Sequence, residues 1–162
     1  MESKETEKEF VELIKQNSRL IYKVCFMYAS DNDELNDLYQ EVLINLWRSY
    51  AAFKGDAKYS TWVYRVGLNT CISYIRQKMR KPTIIPLSEN LENIAERENN
   101  GEELREMYRL INRLSKIEKA IVLLYLEEKT YDEIGEIIGI TRGNVAVKLN
   151  RIKTKLKEMS NQ

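Results

Sequence analysis

The sequence predicts an all-α protein built as two small helical domains, and three observations predict it. Apolar residues recur at three-and-four spacing along nearly the whole chain, with little alternation of period two. Two prolines and six glycines are all that punctuate 162 residues, and both prolines fall in one acidic stretch. The charge, finally, comes in blocks of opposite sign.

The first amphipathic helix is marked by Phe10, Leu13, Ile14, Ile21, Val24 and Tyr28. Asp31 followed by Glu34 resembles a capping box for the next helix, whose stripe is Leu35, Leu38, Val42, Leu46 and Tyr50 and whose end lies near Ala52. A loop from Phe53 to Tyr59 follows. Ser60 or Thr61 then starts a third helix with Trp62, Val63, Val66, Thr70, Tyr74 and Ile75 inward, running into a basic tail from Arg76 to Lys81. Pro82 and Pro86 stop propagation, and the acidic, aromatic-poor stretch up to Gly101 reads as a linker, with Leu91, Ile94 and Ala95 able to make a short helical turn. The expected organisation is therefore a domain over 1–81, a linker over 82–101 and a second domain over 102–162.

In that second domain Leu104, Met107, Tyr108, Ile111 and Leu114 form one stripe. Ser115 with Glu118 makes a capping box before Ile121, Leu124 and Tyr125, and Glu127 to Lys129 breaks the pattern. The most specific local signal comes next. Thr130 caps a short helix, with Glu133 reaching back and Ile134, Ile137 and Ile138 as its apolar edge. Gly139 ends it, and Gly135 sits where two crossing helices need a small residue. Ile140 precedes a second cap at Thr141 and is placed to staple onto Val145. In the last helix Val145, Leu149, Ile152, Leu156 and Met159 make the buried stripe, while Asn144, Lys148, Arg151 and Lys155 share the opposite side, with Arg142 at the helix start. A short helix, a glycine turn and a second capped helix with one basic face form a helix-turn-helix, whose second helix reads base edges and phosphates in a major groove.

The charge blocks agree with contact to a polyanion at two places. Residues 1–40 hold five basic and nine acidic groups, 41–81 eight and two, 82–107 two and seven, 108–139 five and six, and 140–162 six and one, for a net charge of +1. Two solvated basic faces would give the same count. With 43% apolar and 31% charged residues the chain is globular rather than disordered. The acidic start lacks the features of a signal peptide and no apolar run is long enough to span a bilayer, so the expectation is a cytoplasmic protein without membrane insertion. Cys25 and Cys71 read as buried small hydrophobes. With no histidine, no phosphate-cradling glycine loop and no carboxylate pair in an apolar pocket, neither a metal, a cofactor nor a catalytic constellation is expected.

With these motifs in view, the chain resembles the extracytoplasmic-function sigma factors of the sigma-70 family across almost its full length. The stretch Asp37 to Trp47 is similar to the helix that docks on the clamp helices of the polymerase's largest subunit. Tyr59 to Arg76 resembles the segment that melts and reads the minus-ten element, and Leu114 to Arg151 resembles the region that binds the minus-thirty-five element. The resemblance implies core RNA polymerase and promoter DNA as partners, an anti-sigma factor as a further one, and a monomer when free. It places Asp37, Gln40, Glu41, Asn45 and Trp47 toward the clamp, although a tryptophan at that spacing serves a core equally well. For the minus-ten element it implies Lys54, Lys58, Tyr59 and Ser60 around an extruded base, and Arg65, Asn69, Ser73, Arg76 and Arg80 along the non-template strand. Trp62 is expected in the core. Thr141, Arg142, Asn144, Lys148, Arg151 and Lys155 are implied for the minus-thirty-five element. Ser115 stands where the family usually has proline, and Thr141-Arg-Gly-Asn-Val145 departs from the family's commoner serine and threonine-valine, which implies different base preferences at Arg142 and Asn144. The alternative is a stand-alone helix-turn-helix regulator, a class that usually dimerises on half-sites. A purely structural helical adaptor would bind no nucleic acid.

Overall fold

The computed structural model describes residues 2–53, 58–80 and 102–161, and every regular element among them is an α-helix. In chain order these are α1 (Glu2–Gln16), α2 (Ser18–Tyr28), α3 (Asn32–Tyr50), α4 (Tyr59–Arg80), α5 (Glu102–Asn112), α6 (Lys116–Leu126), α7 (Tyr131–Ile138) and α8 (Arg142–Ser160). Two compact units divide near Pro82. The linker over 82–101, its helical turn at Leu91 to Ala95, and Lys54 lie outside the described residues.

In the first unit, the single opening helix expected from the apolar spacing is two helices broken at Asn17. There φ is −112° and ψ 12°, outside helical values, and the side-chain amide donates to the Leu13 carbonyl at 2.8 Å. The stripe continues across the break, so Phe10, Leu13, Ile21, Val24 and Tyr28 are all buried, while Ile14 is half-buried. On α3, Leu38, Val42 and Leu46 are fully enclosed, each such side chain contributing about 1.5–3 kcal/mol relative to exposure. α4 packs most extensively on α2, and Gly67 marks their close approach, with Val24 on one side and Val42 of α3 on the other. Its buried set is wider than the expected face. Trp62, Val63 and Thr70 are inside, joined by Tyr64, Leu68, Cys71 and Ile72, whereas Val66, Tyr74 and Ile75 are only half-buried. A long central helix packed on more than one neighbour buries more than one stripe. Glu34, buried in the first turn of α3, meets Lys78 of α4 in an ion pair.

The second unit is organised by its caps. Ser115 accepts from the Glu118 backbone and Glu118 reaches back to the Ser115 N–H at 2.9 Å, and Thr130 and Glu133 form the same reciprocal box at 3.1 and 3.0 Å. Gly139 closes α7 with φ 89°, a left-handed conformation that suits glycine. Gly135 is required by the turn itself: a Cβ there would stand 2.6 Å from the Ile140 carbonyl oxygen. Ile121, Leu124, Ile134, Val145, Leu149 and Ile152 form the core. Tyr125, expected in the apolar stripe, is exposed instead, and Lys153 Nζ sits 4.7 Å from its ring centroid, a cation–π contact.

Lys119 is the costly cation of this unit. Its Nζ donates to Asn112 Oδ1 at 2.7 Å, but burial pushes its pKa down to about 8. Because the folded value lies below the unfolded one, the associated stability is complete above about pH 10.5 and is lost as pH falls through 8. At neutral pH the fold therefore carries the cost of holding a half-buried charge. Lys119→Met is expected to stabilise the protein by about 1–2 kcal/mol at pH 7, after discounting for partial hydration and the lost hydrogen bond, and to flatten stability over the window from 8 to 10.5. Urea denaturation of both proteins across that range checks it.

Candidate polymerase and nucleic-acid interfaces

Three polar surfaces emerge from these helices, two on the first unit and one on the second. On α3 the buried residues occupy one side, leaving Asp37, Gln40, Glu41 and Trp47 exposed on the other. Ile44, 44% exposed, lies among them and was missed by the sequence reading. The available signal was an apolar residue out of step with the buried stripe. Trp47 is 47% exposed yet anchored, its ring meeting Phe10 of α1 edge-on at 4.9 Å. It is thus both exposed and a packing partner. Asn45 is turned toward α4, its side-chain amide donating to Thr70 Oγ1 at 2.9 Å while that hydroxyl donates to the Val66 carbonyl.

The second surface begins where α3 hands over to α4. Phe53 packs on Tyr59 at 5.0 Å and on Trp62 at 4.9 Å, so aromatic rings tie the two ends of the 54–57 segment together. Trp62 is buried, as expected for a core residue, whereas Tyr59 is 50% exposed beside exposed Lys58 and half-buried Ser60. Along α4, Asn69, Ser73 and Arg76 are exposed at offsets of four and seven, and Arg65 is half-buried at the edge of the same side. Arg80 lies in the last turn of the helix.

On the second unit, Thr141 Oγ accepts from the Asn144 backbone N–H at 3.2 Å and starts α8. The outer face of α8 is cationic but its charges are not equivalent. Arg142 lies 3.6 Å from Asp132, a pair so exposed that it contributes little. Lys155 Nζ is 3.1 Å from Glu118 Oε1. Burial would raise the Glu118 carboxyl, but hydrogen bonds from the Ser115 backbone, Lys155 and the Ser115 hydroxyl, with the Lys155 charge, hold it below its ordinary value. Lys148 and Arg151, by contrast, have no ion-pair partner among the described residues, and both are exposed. Asn144 is exposed alongside them, as is Val147 at 47%, a second residue missed by the sequence reading. The described residues contain no cluster of carboxylates and thiols able to hold a metal ion and no helix long and apolar enough to cross a membrane.

Comparison with known proteins assigns both units. Residues 13–81 match the family model of sigma-70 region 2, and residues 104–156 match that of sigma-70 region 4. The chain belongs to the sigma-70 family, as a sigma factor of the extracytoplasmic-function type. It is similar to the ECF RNA polymerase sigma-E factor of Haemophilus influenzae, 28% identical over 90% of this chain and 84% of that one. It is likewise similar to the sigma-E factor of Escherichia coli K12, at 29% over 91% and 84%, and to SigW of Bacillus subtilis, at 27% over 92% and 87%. Among solved structures, its fold is that of the sigma factor RpoE of Bartonella quintana, crystallised with the anti-sigma factor NepR, at a TM-score of 0.73, 17% identity and coverage of 95% and 98%. CnrH in complex with the cytosolic domain of CnrY gives a TM-score of 0.67, 13% identity and coverage of 96% and 89%.

As a sigma factor the protein directs transcription initiation at promoters. Region 2 of this sigma factor spans the α3 stripe and the exposed side of α4, and its region 4 spans the whole helix-turn-helix through Leu156.

Proposed function

We propose a division of labour among the three surfaces. The exposed stripe of Asp37, Gln40, Glu41, Ile44 and Trp47 docks on core RNA polymerase, carboxylates and amides facing a basic partner helix around an apolar centre. Asn45 braces the stripe from inside through Thr70 rather than touching the partner. Lys58, Tyr59 and Ser60, with Lys54, hold an extruded minus-ten base, whose unstacking costs a few kcal/mol, while Arg65, Asn69, Ser73, Arg76 and Arg80 follow the single strand. Thr141, Arg142, Asn144, Lys148, Arg151 and Lys155 engage the minus-thirty-five duplex, with Lys148 and Arg151 dominant because they have no ion-pair partner among the described residues. Val147, on the same side, suits a thymine methyl group. Residues 1–81 and 102–162 thus act at separate promoter elements, joined by the 82–101 linker.

The observation that carries this reading is the occurrence of a polar, cationic helical face on each of two separate units that match regions 2 and 4. The protein works in the cytoplasm without catalysing a reaction itself, and an anti-sigma factor holds it in reserve, as NepR and CnrY are found with the two structural relatives. Asp37→Lys combined with Glu41→Lys is expected to weaken the complex with core polymerase about tenfold, the scale of two partly exposed charge contacts. Titration with labelled core polymerase measures it. A double variant that binds core as tightly as the wild type would remove α3 from the docking surface.

A further inference from the structure

The basic tail of α4 does not present all its cations to solvent. Arg76 is exposed, whereas Lys78, on the opposite side of the helix, turns inward to the carboxylate of Glu34, buried in the first turn of α3. A cation committed to a buried carboxylate is withdrawn from nucleic acid, so its role lies in how α4 is held. Such a pair adds little stability over an apolar pair of the same size, because both charges give up hydration; what it supplies is one allowed geometry. A second polar link joins the same two helices, Asn45 donating to Thr70 Oγ1 at 2.9 Å. Glu34 and Asn45 lie eleven residues apart on one side of α3, and Thr70 and Lys78 lie eight residues, about 12 Å, apart on α4. One link would leave α4 a pivot. Two fix its rotation and its register against α3.

We propose that Glu34 and Lys78 are positioning residues for the non-template strand. With Asn45 and Thr70 they set the rotation of α4, so that exposed Ser73 and Arg76 face the strand while α3 is docked on polymerase. The proposal rests on the division of labour given above, in which α4 follows the strand and α3 meets polymerase. Asn45 stands one helical turn beyond Glu41, so the links tie the path of the strand to the docking stripe itself. Neither Glu34 nor Lys78 touches DNA in this arrangement; both act through Arg76 and its neighbours. An apolar pair at the same two positions would keep the helices together without dictating their rotation, since apolar contacts are not directional.

The test replaces both partners at once, Glu34→Leu with Lys78→Met, so that no charge is left buried alone. Holoenzyme is assembled from the full chain at saturating core polymerase, and affinity is measured for a labelled single strand carrying the minus-ten element, with Arg76→Ala made in both backgrounds. The double variant is expected to keep or exceed the wild-type urea midpoint and to lose about tenfold in strand affinity. Arg76→Ala is expected to cost about tenfold in the wild type and less than about twofold in the double variant, where the arginine is already misplaced. Full strand affinity in the double variant would overturn the proposal, as would an Arg76→Ala loss as large there as in the wild type. A fall in the urea midpoint would also overturn it, by making the pair a support of the fold alone. If Arg76→Ala has no effect in the wild type, the assignment of α4 to the strand fails first, and the proposal with it.

Discussion

Reversing the charge at both Lys148 and Arg151 is expected to lower affinity for minus-thirty-five duplex about 100-fold, two charge-assisted contacts at about 1.5 kcal/mol each. The complex with core polymerase is expected to survive, because the surface proposed for it lies in the other unit. The argument rests on which α8 cations are available. Lys155 already meets Glu118 and Arg142 lies beside Asp132, so their charges are partly spent within the unit. Lys148 and Arg151 are exposed without such partners among the described residues. Neutralising the pair to alanine should also reduce the slope of log affinity against log salt by about 2, since each phosphate contact contributes about 0.9. Fluorescence anisotropy with labelled duplex over a range of salt reads both effects. Equal losses of DNA and polymerase binding would mean that the substitutions had unfolded the unit rather than stripped its contact face.

Gly135→Ala is expected to destabilise the second unit by about 3 kcal/mol, the upper part of the range for forced overpacking. The added methyl would stand 2.6 Å from the Ile140 carbonyl oxygen, a backbone atom that cannot swing aside as a flexible side chain would. The same backbone segment is held by the Gly135 carbonyl, which accepts from Gly139 N–H at 2.7 Å and Ile140 N–H at 3.0 Å. Gly143→Ala supplies the contrast. Nothing lies within 4 Å of its Cβ position and it sits in the first turn of α8, so stabilisation of about 0.5–1 kcal/mol is expected. Urea unfolding of the two variants should shift midpoints in opposite directions.

The readable parts of the fold share one property, that their interactions are local. The boxes at Ser115 and Thr130 and the cap at Thr141 join residues three apart, and the left-handed Gly139 follows directly from the end of a short apolar pattern. The stripes of α3 and α8 likewise announce which side is buried. What escaped the sequence reading depends on partners distant along the chain. Asn45 looks like any amide on a polar face until Thr70 is placed opposite it. The Lys155 charge is indistinguishable from that of Lys148 until Glu118, 37 residues away, is found beside it. Glu34 carries a local capping signal in the sequence, and nothing there announces that its carboxylate meets Lys78 from α4. The break at Asn17 left no periodic trace because only that residue departs from helical values while the backbone bonds on either side of it continue. Ile44 and Val147, exposed apolar residues inside polar faces, fall outside the buried stripes that the spacing picks out.

The central claim is that one chain couples core polymerase to two promoter elements through separate units. Run-off transcription with purified core polymerase, on a template library carrying varied minus-ten and minus-thirty-five elements, tests it most directly. The account predicts discrete transcripts that appear only when this protein is added, that require both elements, and that disappear with the Lys148 and Arg151 double reversal. Transcripts whose start sites and yield do not depend on adding the protein would contradict it.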